Sequence, residues 1–541
     1  MAMLLLFLAA TTVAAPLTDP RAACPKYQSY SQTLHQPLTK GELQLPFQRP
    51  APICRTFTSP AVEQVIKDVT SRMKDVDLAR LFENAFPNTL DTTISWHVDG
   101  LEKKDTTKPV RKTPNQYFFG SRGNWNGAQS FIVTGDITAE WIRDSTNQLQ
   151  GYQALAAKDP TLKNLILGAI NTQAEYIIVA PYCNAFQPPF PSGLGAATGG
   201  PGDTVYPASD PSFVFECKYE LDSLAHFLKL ANEFYGNTKS VEFLTPRFYS
   251  AIRSILNVIK QQSNGSFDEQ GHHVVNKYRF QRQTNTGTET LSLNGIGNPI
   301  KGGTGLIRSA FRPSDDATIL PFFIPANAMI SVELKRMANI LTNSEKKELA
   351  NELTEIAETV EQGIRKHGIV KHEEFGDVYA FEVDGYGSHI LMDDANLPSL
   401  LSLPHLGFVQ ADDPIYQNTR KMILSQSGNP YYLEGREFSG IGGPHIGLRH
   451  AWPMSRLVQA MTSDNDTEIM NSIMAVRDSS KLGLIHESVN VHFSAAYTRS
   501  WFAWANSVFA QTILDLAKRK PHLVFGMGSE PYTVLDAVSS R

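Results

Sequence analysis

Between residues 59 and 525 the chain repeats one pattern, apolar side chains at helical spacing, and no linker interrupts it. Ser59 and Pro60 suit a helix cap and first turn, and Val62, Val65, Ile66, Val69 and Met73 follow at that spacing. Leu349, Leu353, Ile356, Val360 and Ile364 repeat likewise in a charged stretch that ends near Gly368. The period returns around 137–157, 160–180, 218–235, 246–262, 413–425, 465–478 and 500–518. Strand signals are short: Tyr379, Phe381 and Val383 alternate before an Asp384-Gly385 turn, as do Tyr278 and Phe280. Each amphipathic helix must bury its apolar face, and many of them in one unbroken domain predict an all-α toroid of helix pairs, an (α/α) barrel. Two long loops interrupt the helices, 188–211, rich in Pro and Gly, and 284–305, rich in Gly, Thr and Asn. Loops of that size are commonly functional, and the first precedes a polar motif, so it is expected at the rim of a site.

The ends read differently. An apolar run from Leu4 to Ala10, then small residues to Ala15 and Pro16, has the form of a secretory leader, without Lys or Arg ahead of it. The expected organisation is a leader over 1–15, an extended arm over 16–58, the helical domain over 59–525 and a tail over 526–541. No later stretch is long and apolar enough to cross a membrane. Cys24, Cys54, Cys183 and Cys217 contain no Cys-x-x-Cys and suit an oxidising compartment. Of three possible pairings the simplest is Cys24–Cys54 with Cys183–Cys217. Asn264-Gly-Ser and Asn465-Asp-Thr are acceptor patterns for N-linked glycans. A net charge of −5 with no long basic run excludes nucleic acid as the expected partner.

Six segments carry more polar and aromatic chemistry than a core needs. They are Gly135–Thr146, Phe215–Leu224, Phe311–Thr318, Leu391–Pro404, Gly440–Gly447, and the pair Leu484–Ser488 with Thr498–Ser507. Acids, amides and an imidazole interleaved with Trp and Phe describe a sugar site. Hydroxyl groups want planar partners, and the C–H face of a sugar wants an aromatic platform.

Glu220 and Asp222 are two apart on an expected helix, which sends them to different faces. Asp222 shares its face with Tyr219 and His226 and borders an apolar stripe of Leu221, Leu224 and Leu228. Burial would raise its pKa, as a general acid requires; a nearby helix N-terminus would lower it. Read alone, Asp222 suits a salt-bridged surface acid at least as well, and Glu487 a capping or ion-paired one. Asp315-Asp316 and Asp393-Asp394 lack the spacing of a calcium loop, and no His-Glu-x-x-His occurs, so no metal is expected. Arg143 and Asp144 read either as an ion-paired helix start or as sugar-binding groups. Trp501 and Trp504 share a helical face that is more often core, whereas His445 stands in a loop-like setting of Pro and Gly.

The sequences W-I-R-D-S, K-Y-E-L-D-S, F-R-P-S-D-D, L-M-D-D-A-N-L-P-S-L-L-S, G-G-P-H, H-E-S and W-F-A-W-A-N, in this order from about 60 to 515, resemble glycoside hydrolase family 125. The resemblance implies an (α/α)6 barrel and exo-acting α-1,6-mannosidase activity with inversion and without metal or other cofactor. It implies Asp222 as general acid and Glu487 as general base. Arg143, Asp144, Arg312, Asp315, Asp394, Asn396, His445 and Trp504 become candidates for holding a terminal mannose. The implied partner is an α-mannose-containing oligosaccharide or mannan, met by a secreted monomer. Ile142, Gly443 and Val489 depart from the family pattern, and Val489 is expected to reshape the pocket wall beside Glu487. Other readings are a calcium-dependent mannosidase, a glucoamylase-like enzyme on a related barrel, or a mannan-binding protein without catalysis.

Overall fold

The computed structural model describes residues 23–100, 127–198, 202–342 and 345–535. The leader expected over 1–15 lies outside the described residues. The chain alternates between helices of an inner and an outer ring. The outer ring opens with α1 (Pro60–Arg72) and α2 (Val76–Ala85). Inner and outer helices then alternate: α3 (Ile142–Gln150) and α4 (Pro160–Val179), α5 (Leu221–Thr238) and α6 (Pro246–Gln262), α7 (Ile324–Leu341) and α8 (Lys347–His367). The last inner helices are the short α9 (Leu403–Leu406), α11 (Pro453–Met461) and α13 (Ala503–Arg519), with α10 (Pro414–Ile423) and α12 (Asp466–Ser479) outside. Around the inner ring α13 packs on α3, α3 on α5, α5 on α7, α7 on α9, and α11 on α13. The loops ahead of α9 and α11 join through the Ala395 N–H donating to the Gly442 carbonyl at 3.2 Å. This is the (α/α)6 barrel, with short strands confined to the connections.

Local chemistry explains the outer helices. Ser59 Oγ accepts from the Val62 N–H at 3.2 Å, Pro60 follows, and Val62, Val65, Ile66 and Val69 are the buried positions of α1. Asp159 does the same for α4 and Asn465 for α12. Asn264 and Asn465, which open the two acceptor patterns, are both exposed.

The structure pairs Cys24 with Cys54 and Cys183 with Cys217. The first bond fastens the arm, whose Tyr27 ring packs edge-on against Trp501 at 4.8 Å and whose Ser31 bonds Ser500 at 2.8 Å. Closing a loop of this separation, 30 residues, restricts the unfolded chain. Replacing Cys24 and Cys54 by Ser is therefore expected to destabilise the protein by about 3 kcal/mol, read as a lower Tm. An unchanged Tm would show that the arm is held without the bond.

Candidate active site

Each of the six polar segments lies at or just before the N-terminal end of one inner helix. Arg143 and Asp144 open α3, Lys218 to Asp222 lead into α5, and Arg312 to Asp316 precede α7. Asp393 to Asn396 precede α9, Gly443 to His445 precede α11, and the Glu487 and Arg499 loops precede α13. The barrel therefore gathers these residues at one end.

Asp222 is fully buried in the first turn of α5. The helix terminus and Arg143, whose Nη1 lies 3.8 Å from Asp222 Oδ2, favour the carboxylate. Burial outweighs both and pushes the carboxyl up to about 7. Beneath it, His226 Nδ1 donates to the Asp222 carbonyl at 2.7 Å and lies 3.6 Å from Oδ2. Burial keeps this imidazole neutral, so Nε2 is free to accept from Asn147 Nδ2 at 3.1 Å.

Glu220 departs from the helical-face expectation. It is the N-cap of α5, with extended backbone (φ −117°, ψ 119°), so the helical period does not govern its side chain. Its carboxyl turns to the same guanidinium that Asp222 approaches: Arg143 Nη1 donates to Glu220 Oε2 at 2.7 Å. Arg143 also lies 3.3 Å from Asp144 and 3.8 Å from Asp315. Burial raises Asp144 to about 6 against the pull of Arg143. Burial would raise Asp315 too, but Lys218 and Arg143 hold it down to about 2. Asp315 sits in the left-handed region (φ 67°), in a turn closed by its N–H donating to the Arg312 carbonyl, a conformation that non-glycine residues keep only where the surroundings enforce it.

Glu487 is 7% exposed, in a loop laced to the stretch before α13. The Phe502 N–H donates to the Ile485 carbonyl, and the Thr498 N–H to the Ser488 carbonyl. His486 stacks on Tyr497 with ring centroids 4.0 Å apart. Arg499 Nε donates to Glu487 Oε1 at 3.1 Å, and the same guanidinium pairs with Asp136. Two links tie this half of the site to the first. Asp144 lies within electrostatic reach of both Arg143 and Arg499, and His445 within reach of Asp315, Asp316 and Glu487. Burial would pull His445 down, but these carboxylates prevail and hold it near 9, a cation at neutral pH.

The remaining candidates spread around the same end. Arg312 is buried, with Nε donating to Glu382 Oε1 at 2.6 Å, and lies within electrostatic reach of Asp316 and Asp394. Asp394 Oδ1 accepts from the N–H and side-chain amide of Asn396, at 3.2 and 3.1 Å. Asp393 instead accepts from the Leu400 and Leu401 N–H groups and holds that loop in shape. An added Cβ at Gly443 would lie 3.3 Å from the Asp394 carboxyl, so glycine leaves that acid room. Trp504 is 1% exposed within the main core. Val489, expected on the pocket wall, is instead fully buried in a small apolar cluster with Leu433, Phe438, Ala451 and Val491. Lys218, Asp316, Glu382 and Arg499 lie inside motifs or far from them in sequence, and no local period marks them.

Several buried polar atoms of this region have no hydrogen-bond partner among the described residues. They include both carboxyl oxygens of Asp222, Asp144 Oδ2, Asp394 Oδ2 and Arg312 Nη2. Buried polar atoms are nearly always bonded, so such a cluster fits a ligand rich in groups that both donate and accept. No group of three or more His, Cys, Asp or Glu among the described residues is arranged to hold a metal ion. The described part of the 188–211 loop, Phe190 included, walls a cavity of about 710 Å³ with Tyr182, Phe213 and the Cys183–Cys217 bond. None of the acids above lines it. The loop packs there because Thr204–Tyr206 pairs antiparallel with Arg279–Gln281.

Comparison with known proteins agrees with this chemistry. The profile of the metal-independent α-mannosidases, glycoside hydrolase family 125, matches residues 75–514. The meiotically up-regulated gene 157 protein of Schizosaccharomyces pombe is 54% identical over 523 residues, 96% of this chain and 98% of that protein. A solved metal-independent α-mannosidase structure from Streptococcus pneumoniae, in a non-productive complex with α-1,6-mannobiose, is 30% identical with a TM-score of 0.72. The match covers 85% of this chain and 99% of that one.

Proposed function

We propose that this chain, which belongs to the metal-independent α-mannosidases of glycoside hydrolase family 125, removes terminal α-1,6-linked mannose with inversion, Asp222 acting as general acid and Glu487 as general base. The observation that carries this reading is the contrast between the two carboxyls. Asp222 is buried, raised to about 7 and unbonded at both oxygens, the state of an acid with a proton to give. Glu487 is held in place by the Arg499 guanidinium, whose Nε donates to Oε1 at 3.1 Å. Asp222 protonates the glycosidic oxygen as the bond to the anomeric carbon breaks. Glu487 takes a proton from the water that attacks the opposite face. Arg143, Asp144, Arg312, Asp315, Asp394, Asn396 and His445 bind the hydroxyls of the terminal sugar, and Trp504 backs the pocket from the core.

The α-1,6 linkage is supported by the mannobiose bound to the Streptococcus pneumoniae relative. Export is supported by the two disulfides and by the leader-like start of the sequence, and no helix among the described residues is long and apolar enough to span a membrane. The test offers α-1,2, α-1,3 and α-1,6 mannobiose in the presence of a chelator and follows the products by NMR. Release from the α-1,6 disaccharide, with β-mannose appearing first, is expected. First appearance of α-mannose would overturn inversion, and release only from the other disaccharides would overturn the linkage.

A further inference from the structure

The loops that carry Glu487 and Arg499 contribute Leu484, Trp501 and Ala503 to a small apolar cluster separate from the main core. Packed against it is Tyr27, from the arm that precedes the helical domain. The Tyr27 hydroxyl donates to the Gln48 carbonyl at 2.9 Å and accepts from Asn88 Nδ2 at 3.2 Å. Asn88 Oδ1 in turn accepts from the Trp501 indole N–H at 2.8 Å, so the Tyr27 ring and hydroxyl both bear on one tryptophan. Two further arm residues reach the same place. Ser31 Oγ shares a hydrogen bond with Ser500 Oγ at 2.8 Å, and Gln28 Nε2 donates to the Asp136 carbonyl. Arg499 lies among these contacts: Ser31 and Tyr27 hold the two residues that follow it, and Gln28 holds Asp136, its second carboxylate. The head of the Glu487 loop is tied to the arm as well. Asn84 Nδ2 donates to the carbonyls of both Gly483 and Pro46, at 2.9 and 3.0 Å. The family profile begins only at residue 75, after the arm.

We propose that Tyr27 is a positioning residue for the general base: by packing on this cluster and fixing Trp501, it holds Arg499 where Nε meets Glu487. The inference rests on the role given to Glu487 in the mannosidase reading. An arginine side chain has many rotamers, so its hydrogen bond locates a carboxylate only when the backbone behind it is fixed. Asn506 on α13 fixes Ile485, two residues before Glu487. The arm does the same for Ser500 and Trp501, directly after Arg499.

Tyr27→Ala is expected to lower kcat on α-1,6-mannobiose by roughly 10-fold to 100-fold, with KM within about twofold of the wild type, because a small misplacement of a reacting group is enough for such a loss. If that variant does not fold, Tyr27→Leu, which keeps an apolar side chain on the cluster, should lose about 10-fold in its place. Tyr27→Phe retains the ring on Trp501 and should lose no more than about threefold, the worth of one hydrogen bond. Val62→Ala, on the buried face of α1, lowers stability but alters no side chain of the site, so its kcat should stay unchanged. The loss should also depend on the base. On α-mannosyl fluoride, which needs no acid, Tyr27→Ala should slow Asp222→Asn by the full factor. It should slow Glu487→Ala by less than about twofold, since no base remains to be placed. Amide hydrogen exchange gives a readout independent of turnover: at 484–488 and 498–502 it should be faster in Tyr27→Ala than in wild type or Val62→Ala. Wild-type kcat in Tyr27→Ala, an equal loss in Val62→Ala, the full loss in the Glu487→Ala background, or unchanged exchange in these loops would overturn the proposal. A wild-type protein with no activity on any mannobiose would instead sink the functional reading, while exchange still tests the hold of Tyr27 on the two loops.

Discussion

Asp222→Asn is expected to lower kcat on α-1,6-mannobiose by roughly 10³-fold to 10⁴-fold, within the range that one general acid supplies. Asparagine keeps the shape of the side chain and cannot give up a proton, so folding should survive and protonation should not. The loss should depend on the leaving group. A mannosyl alkoxide departs as a strong base and needs the proton, whereas fluoride departs without it. On α-mannosyl fluoride the variant should regain most of its rate; an equal loss on both substrates would take the acid role from Asp222. For the wild type, kcat/KM should fall as pH rises through about 7, where the buried carboxyl gives up its proton. Stability gives an independent check of that burial. The folded protein keeps the Asp222 proton up to about 7, whereas the unfolded chain releases it near about 3.9. The native state thus binds more protons over that interval, and stability falls as pH rises across it. The amide that replaces the carboxyl has no charge to bury, so the variant should melt above the wild type at pH 8 and with it at pH 3. A variant that melts lower at pH 8 would mean that the carboxyl is needed for packing.

The outer helices were open to inspection in the sequence because each meets water on one side. In α1 the period of Val62, Val65, Ile66 and Val69, with Ser59 ahead of it, gives the element and its start. The inner helix α7 was not legible. It carries Ile324, Ala326, Ala328, Met329 and Ile330 buried almost in succession, because it is covered on most sides and no polar face marks its period. The six site segments could be picked out by composition, since a core has no use for so many acids and amides. Their convergence could not, because it is set by ring closure between residues as far apart as Asp222 and Glu487. The residue beside Asp222 shows a local failure of the same kind. Helical spacing separated Glu220 from Asp222, but spacing applies only inside the helix, and Glu220 is its extended cap. Arg499 stood within a motif and still gave no sign that it would meet Glu487, twelve positions earlier, across a hairpin-like pairing of two loops.

Glu487→Gln should cost at least as much as Asp222→Asn, about 10³-fold or more, but with the opposite dependence on leaving group. A general base is needed to activate water however easily the bond breaks, so α-mannosyl fluoride should bring no recovery. Truncation separates the base from its neighbours. Glu487→Ala opens space beside Arg499, whose guanidinium then lacks one of its two carboxylate partners, Asp136 remaining. That space is cationic and of carboxyl size, so added formate should enter it, take the proton from water and restore part of the rate. Azide should enter as a nucleophile instead and form β-mannosyl azide from an α-linked donor, since it attacks from the face the water used. Recovery by formate with β-mannose as product would place the missing base at that position. Formation of α-mannosyl azide would mean that attack comes from the other face, and the inverting geometry would fall with it. No rescue by either anion, together with full activity on the fluoride, would leave Glu487 as an ion-pair partner of Arg499, and the water would have to be activated by another acid of the site, with Asp144, raised to about 6 and within reach of the same arginine, the next to test.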